Sequence, residues 1–123
     1  MQTRGATNNA VADFKKTDLV IVDDDKLFAD SLAFFFGNKV VDQYHDPLVF
    51  LEKLPQYAKD IVICLDNDFR GQMSGIEVSY LLHEAGFTRL YMLSGKSFED
   101  SEIPDHLTAI LKGDMDSLRK LFD

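Results

Sequence analysis

The sequence predicts an α/β fold, a doubly wound parallel sheet, and three features predict it. Short apolar runs of strand length alternate along the chain with segments of helical period. The central runs, Leu19–Val22 and Ile61–Leu65, are apolar throughout rather than alternating with polar residues, as strands covered on both faces are. The segments between them carry helix start signals, which makes each a crossover between parallel strands. Five runs and about five helices fit a flavodoxin-like sheet in the order 2-1-3-4-5, whose sites form beyond the carboxyl ends of the strands.

Leu19–Val22 is the first run. Phe28, Leu32, Phe35 and Phe36 follow at helical spacing, and Gly37-Asn38 stops that helix. Val40-Val41 with Tyr44 reads as a weaker, edge strand. Asp46-Pro47 starts a helix, with Asp as cap and Pro in the first turn, and Leu48–Leu54 forms it until Pro55 breaks it. Ile61–Leu65 is the strongest strand. Ser74-Gly-Ile-Glu77 is a capping box that opens a helix with Val78, Leu81, Leu82 and Ala85 on one face, closed by Gly86. Leu90–Leu93 and Leu107–Leu111 are the last two strands, and Asp114 caps a final helix carrying Met115, Leu118, Leu121 and Phe122. Residues 1–16 are small and polar, and are expected to be a tail with at most a short helix over Ala10–Phe14. The domain proper is expected over residues 17–123.

Length and composition bound the function. A chain of 123 residues with 46% hydrophobic content makes one domain with a real core. A net charge of −8 works against nucleic acid and against anionic membrane surfaces as partners. The single cysteine, Cys64, sits inside an apolar run, where packing is its expected role, and allows neither a disulfide nor a zinc cluster. No segment reads as a signal peptide or a bilayer span, so a cytoplasmic location is expected. His45, His83 and His106 are scattered along the chain and read as surface or hydrogen-bonded groups rather than metal ligands.

The ends of the apolar runs carry the chemistry. Leu19–Val22 ends in Asp23-Asp24-Asp25, Ile61–Leu65 in Asp66, Leu90–Leu93 in Ser94, and Leu107–Leu111 in Lys112. Parallel strands bring all of these to one edge of the sheet. Asp23, Asp24 and Asp66 then converge, and such a cluster needs a counter-charge. A hard divalent cation, Mg²⁺, suits carboxylate oxygens and waters. Lys112 adds a fixed positive charge and Ser94 a hydroxyl, which together make a minimal phosphoryl-transfer site. Asp25 reads more simply, as an acid at a helix N-terminus.

The stretches "LVIVDDDKLFADSL", "IVICLDND" with "SGIEV", "YMLSG" and "AILKGD" resemble the receiver domain of two-component response regulators over roughly residues 17–123. The resemblance implies that Asp66 is the phospho-acceptor, and that Asp23, Asp24, Asp66 and the backbone carbonyl of Asp68 hold Mg²⁺. It implies that Ser94 and Lys112 close on the phosphoryl group. The donor would be a histidine kinase or a histidine phosphotransfer protein, and the output a conformational switch acting on a downstream protein. Leu27 and Phe28 would lie where such domains dock their kinase; core packing is the equal alternative for Phe28.

Departures from the pattern accompany the match. Gly113 stands where proline usually follows the lysine, the loop from Asp66 to Gly75 is one residue longer, and the aromatic position on the last strand is Ala109. The segment from Ser94 to Lys112 is short and interrupted by Pro104, so the fourth helix of the family is expected to be short or irregular and the output surface unusual. Asp68 and Lys96 flank the expected site, either paired across its mouth or simply solvated. Two other readings stand beside the first. One is an interaction module that is never phosphorylated. The other is a haloacid dehalogenase-type phosphatase, suggested by "VICLDNDFRG" but leaving Asp23-Asp24 unexplained.

Overall fold

The computed structural model describes residues 14–123. A five-stranded, wholly parallel sheet runs β2-β1-β3-β4-β5, with β1 Leu19–Val22, β2 Val41–Tyr44, β3 Val62–Asp66, β4 Arg89–Ser94 and β5 Leu107–Leu111. β1 and β3 are buried along their whole length, as continuous apolar runs between two helical layers must be.

Alternation along each strand splits the core in two. Val20, Val22, Ile63, Leu65, Leu90, Met92 and Leu107 pack on one face, with Phe50, Tyr57, Val78 and Leu82 above them. Leu19, Ile21, Val62, Cys64, Leu93 and Ile110 pack on the other, beneath Ala29, Leu32, Leu118 and Leu121. The first face is covered by α2 (Pro47–Glu52) and α3 (Gly75–Glu84), the second by α1 (Lys26–Phe35) and α4 (Met115–Arg119). Cys64 is buried in the sheet, and burial pushes its thiol up to about 12, so it is inert packing.

The helix starts follow their caps. Asp25 accepts from Phe28 N–H, Asp46 from Leu48 N–H and Asp114 from Ser117 N–H. Ser74 and Glu77 exchange both capping-box bonds, at 3.0 and 2.9 Å. Gly86 ends α3 with φ +99°, in the left-handed region. Pro55 does not simply break the helix before it, since Leu54–Gln56 continues as a 3₁₀ turn.

Four α-helices occur among the described residues, and the fourth helix of the family, expected to be short or irregular, is reduced to the 3₁₀ turn Asp100–Glu102 in the crossover between β4 and β5. Four acids and Pro104 within residues 99–105 leave too little apolar periodicity for a packed helix. The expected tail is tied down at its end: Lys15 N–H donates to the Gln56 carbonyl and its ammonium pairs with Asp42 at 2.8 Å. The short helix expected over Ala10–Phe14 lies almost wholly outside the described residues. Finally, His83 and His106 are not scattered. The β4–β5 connection returns His106 to α3, where the two rings stack with centroids 4.5 Å apart.

That histidine pair gives a pH-dependent contact. The Ser79 hydroxyl donates to the Ile76 carbonyl at 2.7 Å, so its 2.9 Å contact with His106 has Nε2–H donating to Oγ. Burial, and then the adjacent His83, hold the His106 pKa below its ordinary value of 6.5, with Asp105 pulling the other way. The unfolded chain therefore takes up this proton more readily than the folded one. The contribution is present above pH 6.5 and is lost as pH falls through the lower folded-state value. Denaturant titrations should show His106→Gln, which can keep the bond to Ser79, losing less stability than the parent between pH 7 and pH 5. Identical profiles would dismiss His106 as the titrating group.

No helix among the described residues is long and apolar enough to cross a membrane.

Candidate functional site

The register of the sheet builds the site. Val22 stands opposite Leu65, Asp66 opposite Leu93, and Ser94 opposite Leu111, so Asp23, Asp66, Ser94 and Lys112 all leave the same edge. Strand period decides which of them meet. Asp23, Asp66 and Lys112 continue the series Leu19-Ile21, Val62-Cys64 and Ile110, on the α1/α4 face. Ser94 continues Leu90-Met92, on the opposite face.

The first three form one cluster. Lys112 Nζ lies 3.2 Å from Asp23 Oδ2 and 3.3 Å from Asp66 Oδ1. Asp23 is 2% exposed and Asp66 8%. Asp25 N–H holds Asp23 Oδ1 at 2.8 Å, and Asn67 N–H holds Asp66 Oδ1 at 2.9 Å. Phe28 lies half-buried on α1 with its ring centroid 4.3 Å from the Lys112 ammonium. This contact places Phe28 in the packing of the site.

Asp24 completes an acidic triad. One carboxylate oxygen each from Asp23, Asp24 and Asp66 lies within 4.8 Å of the others. Arg70 Nε comes within 2.9 Å of Asp24 Oδ2, yet that buried oxygen accepts no hydrogen bond, so the N–H does not point along the contact. Three carboxylates within reach of one another, one of them with a buried oxygen that accepts no hydrogen bond, are a donor set suited to a hard cation. Arg70 reaches it because the longer loop folds into a small hairpin bridged at Asp68–Ser74, with Arg70 at φ +53° and Gly71 at φ +84° at its tip. The bridge uses Asn67 C=O and Phe69 N–H, so the Asp68 carbonyl is not engaged by it. The Asp68 side chain is exposed, as is Lys96, which lies over the Phe98 ring and makes no ion pair with Asp68.

Electrostatics set the protonation states. Burial, then the Asp23 carboxylate, push Asp66 up to about 6, against Lys112 and the Asn67 N–H, which lower it. Burial disfavours the charge on Lys112, but Asp23 and Asp66 outweigh it and raise the lysine above its ordinary value. The arrangement is a buried, partly basic carboxylate beside a fixed ammonium.

Ser94 is adjacent but not joined to this cluster. It is 1% exposed and its Oγ accepts from Lys96 N–H at 3.0 Å, which leaves its proton free to donate. Gly113 does not use the conformational freedom of glycine, since only Gly71 and Gly86 have positive φ among the described glycines. Arg70 and His45, whose ring Nδ1 meets the Asp23 carbonyl at 2.9 Å, are site neighbours that sequence reasoning missed. The Arg-Gly pair at a loop tip was the available signal for the first; none marked the second.

Known structures share this architecture. The chain superposes on the N-terminal domain of a response regulator/sensory box/GGDEF three-domain protein from Carboxydothermus hydrogenoformans with a TM-score of 0.67 at 14% identity, over 84% of this chain and 90% of that one. It superposes on the signal receiver domain of NarL from Mycobacterium tuberculosis with a TM-score of 0.62 at 20% identity, over 86% of this chain and 98% of that one. The chain has the receiver-domain fold. No family model and no curated protein matches its sequence. At such identities the likeness is one of architecture, and the chemistry rests on the residues above.

Proposed function

We propose that the protein is a phospho-accepting receiver domain in which Asp66 takes a phosphoryl group from a phosphohistidine of a histidine kinase or phosphotransfer protein. The observation that carries this reading is the Asp66 carboxylate at the sheet edge, with Lys112 Nζ at 3.3 Å and the Asp23 and Asp24 carboxylates within 4.8 Å. An Asp66 oxygen would attack phosphorus as the P–N bond to the donor imidazole breaks. The acyl phosphate forms on Asp66, and the imidazole leaves with the electron pair and picks up a proton. Asp23, Asp24, Asp66 and the Asp68 carbonyl would hold Mg²⁺, which when bound supplies positive charge to the phosphoryl oxygens. Lys112 supplies a second, fixed charge to the same oxygens. Ser94, with its hydroxyl proton free, supplies a hydrogen bond to the new group and so links phosphorylation to the β4–β5 crossover. Leu27 and Phe34 are 81% and 88% exposed on α1 and offer the donor an apolar contact, whereas Phe28 is held by Lys112.

The phosphatase reading is the weaker one, because the second acid of its motif, Asp68, is exposed and stands outside the carboxylate triad. The phosphorylation-independent reading draws support from the missing crossover helix and from Ala109, which has no ring to rotate.

Treatment with acetyl phosphate and Mg²⁺, read by intact mass, tests the proposal. One phosphoryl group should be gained by the parent, and none by Asp66→Asn or in the presence of chelator. No gain, together with no binding of beryllofluoride, would leave the interaction module as the better reading.

A further inference from the structure

The sheet ends at β5 with an open edge, and the register shows which of its backbone groups are free. Lys112 N–H donates to the Ser94 carbonyl, and Leu93 and Tyr91 stand opposite Ile110 and Thr108. In a parallel ladder, alternate residues of a strand turn both backbone groups toward the same neighbour. Residues 108, 110 and 112 therefore bond to β4, while Leu107, Ala109 and Leu111 turn theirs outward. Leu107 N–H is taken by the Pro104 carbonyl, and the Leu111 carbonyl by Asp114 N–H. Four groups remain in the order acceptor, donor, acceptor, donor: Leu107 C=O, Ala109 N–H, Ala109 C=O and Leu111 N–H. They have no protein partner among the described residues.

Among the described residues nothing guards this edge. β5 reads Leu-Thr-Ala-Ile-Leu, with no charge, proline or glycine, where exposed edges ordinarily carry such blocks. The crossover that a helix could have filled contains only a 3₁₀ turn, and a groove of about 450 Å³ lies between it and β5. Phe98 and Ile103 pack the near wall onto the core. Among the described residues Asp100 and Asp105 line the groove against a single cation, Lys96, and Glu99 and Glu102 are exposed on the same segment. Two copies pairing through β5 would press these acidic segments together on chains of net charge −8, so charge works against self-pairing and in favour of a basic partner.

We propose that this edge receives an extended segment of a partner protein in which Lys or Arg alternates with β-branched residues, added to β5 as a sixth strand. Backbone bonds to the four free groups hold it, and its cations face Asp100 and Asp105. Ser94 lines the same groove, so an added strand lies against the strand end that carries the site hydroxyl. The interaction does not require a phosphoryl group on Asp66 and is tested without one.

The experiment titrates the unphosphorylated full chain into a short fluorescein-labelled peptide alternating Lys with Val and Thr, read by anisotropy. Saturable, salt-weakened binding is expected. N-methylation of alternate residues along one edge of the peptide should weaken it roughly tenfold through the loss of its two backbone bonds to the Leu107 and Ala109 carbonyls. Ala109→Pro removes one outward donor at an edge position that tolerates proline, and should weaken binding roughly two- to tenfold. The double variant Asp100→Lys, Asp105→Lys should weaken it as well. Equal binding of the N-methylated peptide, or of a Glu-for-Lys peptide, would overturn the proposal. So would dimerisation of the chain alone by sedimentation, which would give the edge to a second copy. If Ala109→Pro does not fold, the N-methylated peptide decides.

Discussion

Gly75→Ala is expected to lower stability by about 3 kcal/mol, or roughly 10 °C in Tm, and to disturb Asp66 at the same time. A Cβ at position 75 would collide with the Asp66 carbonyl oxygen and sit 3.0 Å from Met92 Sδ. The methionine can move, but the carbonyl cannot, because it belongs to the central strand of the sheet. Gly75 N–H is also bonded to the Asn67 carbonyl at 2.9 Å, which pins the start of α3 against the residue following Asp66. Relief of the clash therefore has to shift either α3 or the end of β3. The α3 route loses packing of Val78 and Leu82; the β3 route moves the carboxylate away from Lys112. Gly95→Ala and Gly113→Ala are the controls. Neither has a heavy atom within 4 Å of the added carbon nor a positive φ, and both should stay within about 0.5 kcal/mol of the parent. Thermal melts of the three variants check the stability claim. If Gly75→Ala melts like the controls, the close approach of α3 to β3 is not rigid.

The same contact shows how far the sequence could be read. "SGIEV" discloses a capping box, and so a helix beginning at Gly75, but nothing in it says that the helix starts against the Asp66 backbone. Local signals were legible because they are local: continuous apolar runs for strands buried on both faces, and Asp25, Asp46, Ser74 and Asp114 as caps. The convergence of Asp23, Asp66 and Lys112 was legible too, because parallel strands with a period of two put alternate residues beyond their ends on one face. By the same period Ser94 falls on the other face, which reading only strand ends overlooked. Contacts set by loops were not legible. Arg70 meets Asp24 only because a non-glycine residue adopts φ +53°, a conformation no composition rule selects. His83 and His106 meet only because the crossover lacks its helix and returns directly to β5.

Lys112→Met should be the most damaging change within the site. It removes the only cation that touches both Asp23 and Asp66 among the described residues, and leaves two buried carboxylates facing each other. Breaking such a buried pair costs on the order of 3 kcal/mol at neutral pH. The loss should depend on pH, with a sign that can be worked out. Asp66 already binds its proton at about pH 6 when folded, against an ordinary value of 3.8, and loss of the ammonium moves it further in that direction. Between these values the folded state holds a proton that the unfolded state does not, so folding gains as pH falls. The deficit of Lys112→Met in urea titrations should therefore be large at pH 7.5 and small at pH 5, where a proton takes over from the lost charge. Added Mg²⁺ should restore part of it at pH 7.5 and little at pH 5, since metal and proton compete for the same oxygens. Phosphoryl uptake should fall in this variant at either pH, for want of the fixed positive charge of Lys112 beside the transferred group. A deficit that did not change with pH would point instead to the contact between Lys112 and the Phe28 ring, whose loss no proton repairs.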